Sequence, residues 1–264
     1  MTSAPSYVAA LPMYDWPEVR AANDNFWSLL RDSLRDFGFP APDALERDFA
    51  DEQLWRNPGL VLGQSCGLPL VKDLSPSVSV VGTPAYDIEC GAGCYYSVIV
   101  VRQESDIEEI SDIAGKRLAY NGANSQSGYG ALAYHLRELR SPEPVFSEKI
   151  CSGSHRHSAR LVAAGEADIA SIDAVSWRLA LRHEPAAGEL RVLAATDSTP
   201  GLPMICAKNP DWSVSQMHLA VVEAMAALNP EISDALLLTG FAQTEISDYA
   251  VIARRHDEAS RIAL

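Results

Sequence analysis

Ser125 and Ser127 stand one residue apart in Asn124-Ser125-Gln126-Ser127-Gly128, a polar turn with the side chains to hold an oxyanion. An apolar run, Arg117 to Tyr120, precedes it. Tyr129, Leu132, Ala133, Leu136 and Leu139 follow at helical spacing, so the segment reads as strand, turn, helix. The first N–H groups of such a helix have no intrahelical partner, and its dipole is positive at that end. With two hydroxyls and the amides of Asn124 and Gln126 added, the turn becomes a candidate anion cradle. The competing reading is local: either serine can serve simply as the N-cap. His155 and Asp173 also fall directly after predicted strands, as do Tyr14, Gln64, Ser65 and Tyr86. Sheet folds that alternate strands with helices bind ligands at the carboxyl ends of their strands. These ten residues are therefore the candidate ligand contacts, and none is assigned a catalytic role.

The elements that must position them can be taken in chain order. Tyr7 to Leu11 reads as a strand, and Asp15 with Glu18 has capping-box spacing before a helix. Val19, Ala22, Phe26, Leu29, Leu30, Leu34 and Phe37 mark the buried face of that helix, and Gly38 stops it. A short acidic helix follows at 51 to 56. Leu60 to Gly63 and Val78 to Gly82 are apolar strands running into polar turns, at Gln64-Ser65-Cys66-Gly67 and Thr83-Pro84-Ala85-Tyr86. Tyr95 to Val101 is the longest strand-like run. Further strands are expected around Phe146 and at Asp168 to Ile172, Leu190 to Ala195 and Met204 to Ala207. Helices are expected after His155, over Trp177 to Leu181, after Ser213 and after Thr244. This alternation predicts an α/β protein with mostly parallel sheets.

Composition narrows the function classes. The chain has 264 residues and a formal charge of −14, from 35 acidic and 21 basic residues. Nucleic acid and anionic membrane surfaces both call for a basic footprint, so neither is an expected partner. No apolar run approaches the roughly 18 residues of a membrane helix, so the chain is not expected to be membrane-embedded. Met1 to Ser6 lacks the basic and apolar regions of a signal peptide. That places the chain as written in the cytoplasm, or in the periplasm if a leader has been trimmed. Five cysteines lack paired metal-ligand spacing, so free thiols, no metal and no cofactor are expected. Tyr14 and Tyr86 are the aromatics expected at the site, with Trp16 and Trp177 as further candidates.

Several segments together resemble the phosphate- and phosphonate-binding branch of the type II periplasmic binding proteins, the substrate-binding components of ABC transporters. They are Asp112 to Arg117, Ser125-Gln126-Ser127-Gly128, Gly153-Ser154-His155, Ala163 to Ala170, and Thr199-Pro200-Gly201-Leu202-Pro203. The resemblance implies a two-lobed fold with a hinge and ligand held in an interlobe cleft. One lobe would be residues 1–100 plus 195–264, the other 101–194, joined by two crossings. It further implies that Ser125 and Ser127 bind a tetrahedral anion and that His155 donates to it. Asp173 would then contact a positive or hydroxyl end of the ligand.

Three functions follow. The first is binding of a small oxyanion solute, phosphonate- or phosphate-like, for delivery to an ABC permease. The second is a cytoplasmic enzyme on the same fold, similar to menaquinone-pathway lyases, in which Ser, His and Asp do acid–base work. The third is a ligand sensor without a transporter.

Overall fold

The computed structural model describes residues 7–48, 51–138, 144–260 and 264. The first elements are β1 (Val8–Ala10), a 3-10 turn (Pro12–Tyr14), α1 (Arg20–Asp36), α2 (Asp51–Trp55), β2 (Leu60–Gln64) and α3 (Gly67–Pro69). A π-turn (Leu70–Leu74), β3 (Val78–Tyr86), β4 (Cys94–Tyr95), β5 (Ser97–Arg102), a 3-10 turn (Ile110–Ile113) and β6 (Arg117–Tyr120) come next. A π-turn (Gln126–Gly130) runs into α4 (Ala131–His135), before β7 (Glu148–Cys151), α5 (His155–Ala163), β8 (Ile169–Asp173) and α6 (Ala174–His183). The chain continues with a 3-10 turn (Pro185–Glu189), β9 (Leu190–Ala195), β10 (Thr199–Pro200), β11 (Met204–Ala207), α7 (Val214–Ala226) and α8 (Pro230–Leu236). It ends with β12 (Leu238–Ala242), a 3-10 turn (Ile246–Tyr249) and α9 (Ala250–Ala259).

The chain divides into two compact units. The first comprises the residues up to Cys94 with Pro200–Tyr249, and the second Tyr95–Thr199 with Ala250–Leu264. The chain therefore passes between units three times, not twice, and residues 250–264 join the second unit instead of the first. Nothing in the α9 pattern distinguishes the two sheets it could cover, because an apolar stripe specifies burial and not its partner.

In unit 1 the sheet order is β1-β2-β11-β3-β12. Only β1 and β2 run parallel; β11 is antiparallel to β2 and β3, and β12 to β3. Helix α1 buries Phe26, Trp27, Leu30 and Leu34 at helical spacing, each worth about 1.5–3 kcal/mol of apolar burial. Ser33 Oγ donates to Ala220 O on α7 at 2.8 Å, and Gly38 ends the helix at φ +85°. The expected capping box is absent: α1 starts at Arg20 with no side-chain cap. Asp15 instead accepts from Arg47 Nε at 2.6 Å and from Asn23 Nδ2 at 3.0 Å. A charged pair with Arg47 outcompetes a single backbone amide for that carboxylate. Elements that passed unnoticed in the sequence include α8 and β12, and β3 continues through Thr83–Tyr86 where a turn was expected.

Unit 2 has the order β7-β6-β8-β5-β9, with β6 parallel to β7 and β8, and β5 antiparallel to β8 and β9. The expectation of mostly parallel sheets is thus corrected: both sheets are mixed, antiparallel neighbours predominating in unit 1 and balancing parallel ones in unit 2. Alternation of strand and helix reveals element type but not the direction in which the crossing strands β5 and β11 enter a sheet. Ile99, Leu118, Leu132, Leu136, Phe146 and Ile169 form the core between this sheet and α4. Phe146 precedes β7 instead of lying on a strand, and Leu139 lies outside the described residues. Arg117 Nη2 meets Asp168 Oδ1 at 2.8 Å, while Asp168 Oδ2 accepts from the Arg117 amide, pinning the start of β6 beside β8. None of the five cysteines is paired in a disulfide.

Candidate functional site

The parallel register of β6 and β7 sets Tyr120 opposite Cys151, so both strands end at the same sheet edge. From that edge one chain continues through Asn121 to the Ser125 turn, the other through Ser152 to α5. Ser154 caps α5 by accepting from the His157 amide at 3.1 Å, which makes His155 its first helical residue. The two loops meet there: Ser127 Oγ lies 2.8 Å from His155 Nε2.

Ser125 is the N-cap of the turn, its Oγ accepting from the Gly128 amide at 3.0 Å, and it stands 3.5 Å from Ser127 Oγ. The cap reading is therefore correct for Ser125, and the Gly128 N–H is already engaged. The Ser127 carbonyl accepts from Ser97 Oγ at 2.9 Å and Ser171 Oγ at 2.7 Å. These buried hydroxyls fix the turn to β5 and β8. Sequence reading missed both, although a serine inside each apolar strand was a signal. A side chain on Gly128 would run into Asn121 Oδ1 and come within 3.3 Å of His155 Cε1. Asn121, a third residue missed, therefore packs against the turn where only glycine fits.

Burial pulls the His155 imidazole down to about 4, so the ring is neutral at neutral pH. The Ser171 backbone opposes this pull, without a hydrogen bond of good geometry to Nδ1, which stays buried and unsatisfied. Of the remaining candidates in this unit, Gln126 is buried and Asn124 exposed. Asp173 is buried and caps α6, its Oδ1 accepting from the Ser176 amide at 2.8 Å. His157, beside the cap, is exposed.

The other four candidates belong to unit 1. Gln64 Nε2 donates to Tyr86 OH at 3.0 Å, and the Tyr14 and Tyr86 rings meet edge to face, 5.1 Å between centroids. All three line a cavity of about 20 Å³, room for a water molecule and no more. Ser65 is fully buried; its amide donates to Pro203 O at 3.0 Å, and its hydroxyl has no partner among the described residues. Trp177 is core, at 7% exposure.

A profile of the family described as "ABC transporter, phosphonate, periplasmic substrate-binding protein" matches residues 71–249. The chain belongs to this family. It is thus the substrate-binding component of an ABC-type transporter, built to bind a small solute. No curated protein matches this binding protein by sequence. Solved structures share its fold. PhnD1 from Prochlorococcus marinus, in complex with methylphosphonate, aligns with a TM-score of 0.73 and 19% identity, over 98% of this chain and 100% of that one. A Xanthomonas citri protein bound to chloride aligns at 0.72 and 17%, covering 98% of each chain. The binding-protein component of an ABC phosphonate transporter from Pseudomonas aeruginosa aligns at 0.72 and 15%, over 98% and 88%. No described helix of this binding protein is long and apolar enough to cross a membrane.

Proposed function

We propose that this binding protein takes a small phosphonate or phosphate ester at the Ser125–Gly128 turn and delivers it to an ABC permease. The observation that carries the reading is the convergence of Ser127 Oγ with His155 Nε2 at 2.8 Å and Ser125 Oγ at 3.5 Å. Two hydroxyls of the turn and the neutral imidazole at the start of α5 suit the oxygens of a tetrahedral anion, and hydrogen bonds to a charged acceptor contribute about 1.5–3 kcal/mol each. Family membership and the methylphosphonate held by the Prochlorococcus marinus protein point to the same ligand class.

The same serine–histidine pair invites a catalytic reading, which two observations disfavour. Among the described residues no carboxylate orients His155 through Nδ1, and an imidazole pulled down to about 4 is a weak base at neutral pH. Calorimetric titration with methylphosphonate, inorganic phosphate and methanesulfonate tests the proposal. Saturable binding of a phosphorus oxyanion, without turnover, is expected. Ligand binding that survives Ser127→Ala and His155→Ala unchanged would defeat it.

A further inference from the structure

One buried polar atom beside Gly128 has no hydrogen-bond partner among the described residues, Asn121 Oδ1. Leaving a buried acceptor unpaired costs about 1–3 kcal/mol, so such an atom in a native fold calls for an explanation. Asn121 directly follows β6, and its Oδ1 fills the space where a Gly128 side chain would go. His155 Cε1 lies 3.3 Å from that same position, and the other face of the imidazole system bonds Ser127. The amide oxygen is thus set against the turn that carries Ser125 and Ser127.

Hydrogen-bond chemistry separates these groups. A serine hydroxyl donates or accepts, and a neutral imidazole offers one donor and one acceptor, but an amide oxygen only accepts. A sulfonate in water near neutral pH presents acceptors alone. A phosphonate or phosphate monoester loses its second proton near neutrality, so its monoanion still carries a P–OH donor. We propose that Asn121 is a specificity-determining residue whose Oδ1 accepts that P–OH, so that the site selects the singly protonated phosphorus oxyanion over sulfonates and sulfate. The inference rests on the reading above, that this turn is the ligand site. The charge of the surroundings agrees with it, since the hydroxyls and the imidazole here are neutral and the chain carries −14.

Other titratable groups stand on the elements packed around the turn. They are His155 on α5, Asp173 on β8, Lys149 and Cys151 on β7, Tyr120 on β6, Tyr129 in the turn itself, Tyr134 and His135 on α4, and Arg254, Arg255, His256, Asp257 and Glu258 on α9. Lys149 is engaged with Tyr129, its Nζ donating to the phenol oxygen at 3.4 Å. His155 is the one among them that an anion would recharge, so the experiment must tell ligand proton from His155 proton.

Calorimetry of the full chain with methylphosphonate and methanesulfonate, at mildly acidic and mildly alkaline pH and in two buffers of different ionisation heat, does so. Methylphosphonate should bind about ten- to a hundredfold more tightly than methanesulfonate, the equivalent of about 1.4–2.8 kcal/mol. At alkaline pH it should take up a proton on binding, and methanesulfonate should not. Asn121→Ala should remove most of the preference and the proton uptake while circular dichroism shows a folded protein. Gly128→Ala, which displaces the Asn121 side chain without removing it, should weaken methylphosphonate in the same way. Equal affinity for both ligands, proton uptake with both, or a preference untouched by Asn121→Ala would each overturn the assignment. An amide turned to present its NH₂ would favour the dianion and give no uptake, which also overturns it. If wild type binds no methylphosphonate at either pH, the ligand reading falls and this inference with it. Binding without discrimination removes the inference alone.

Discussion

The Arg255 guanidinium lies 4.8 Å from the centre of the Tyr134 ring, whose centroid is 4.0 Å from the guanidinium of Arg137. Through this contact α9, the last helix of the chain, is tied to α4. Arg255 also donates from Nη1 to Ser198 O at 2.8 Å, so one side chain links α9 to the segment ahead of β10. Cation–π contacts at partly exposed sites contribute about 0.5–1 kcal/mol. Arg255→Ala should therefore lower global stability by only about 1–2 kcal/mol once the hydrogen bond is included. Its larger signature should be local: faster amide exchange over residues 250–259, with α5 and α6 unchanged. Exchange measured by mass spectrometry that leaves α9 as protected as before would show that apolar burial of Ile252 and Ala259 holds the helix alone.

Ser125 and Ser127 should separate in ligand affinity more than in stability. Ser125 caps the turn, so Ser125→Ala should lose about 1 kcal/mol of stability. Ser127 Oγ faces His155 and caps nothing in the described structure. Ser127→Ala strands His155 Nε2, so it should also lose about 1–3 kcal/mol of stability, and it should weaken oxyanion binding about tenfold or more, at about 1.4 kcal/mol per decade. The double variant need not add, because both hydroxyls would share one ligand. Denaturant midpoints and calorimetric Kd together read this out; a reversed pattern would exchange the roles given to the two serines.

His155 gives stability a pH dependence whose sign is fixed. The folded-state value is about 4, below the 6.5 of an unfolded chain, so the unfolded state binds the proton first as pH falls. Stability should be full above 6.5, then drop progressively towards 4, by at most about 3 kcal/mol for a shift of this size. An oxyanion favours the charged imidazole, so its binding should shrink that loss. His155→Gln should flatten the curve between these two values. Urea titrations across the range that show the same slope in variant and wild type would rule His155 out as the cause.

The sequence made the candidate turn legible and its supports invisible. Ser125, Ser127 and His155 could be found because each follows a strand, and parallel strands end at a common edge. Which strands are neighbours is a long-range property, so the meeting of Ser127 with His155 rested on the resemblance alone. Ser97 and Ser171 looked like ordinary interruptions of apolar runs, and only the pairing of β5 with β8 turns them towards one carbonyl. Asn121 was passed over because its importance depends on the missing side chain of Gly128, which no periodicity reports. At the fold level, apolar runs located most strands but said nothing of direction, hence the wrong expectation of parallel sheets. Short α8 and β12 carry too few residues for either period to stand out. The Asp15 box failed for the opposite reason: its spacing was right, and Arg47, 32 residues away, claimed the carboxylate.

Glu184 offers a separate test in a lower pH window. Its side chain is only 5% exposed and meets two guanidiniums, Arg156 Nε at 2.7 Å and Arg160 Nη2 at 2.6 Å. Burial raises its carboxyl, but the hydrogen bonds from Arg160 and Arg156 outweigh that and hold it below the usual range. The cluster fastens the start of α5 to the segment after α6, since Arg156 Nη2 also donates to His183 O at 3.0 Å. Removing one partner of a buried pair strands the other, a loss of about 3–5 kcal/mol in full burial. Because the cluster lies close under the surface and the Arg160 side chain is 53% exposed, Glu184→Ala should cost nearer about 2–3 kcal/mol. Arg160→Ala should cost less than Arg156→Ala, whose side chain is 18% exposed. The sign with pH follows from the depressed folded-state value. The stabilisation is present above 4.5, the value of an unfolded glutamate, and disappears as pH falls through the lower folded one. Wild type should thus lose stability in two stages, through His155 above about 4 and through depressed carboxylates below 4.5, and Glu184→Gln should make the second shallower while leaving the first and the share of Asp168, held down by Arg117. A variant series that titrates identically in the acid limb would show that Glu184 carries no such linkage and that the arginine cluster is held by solvent-screened contacts instead.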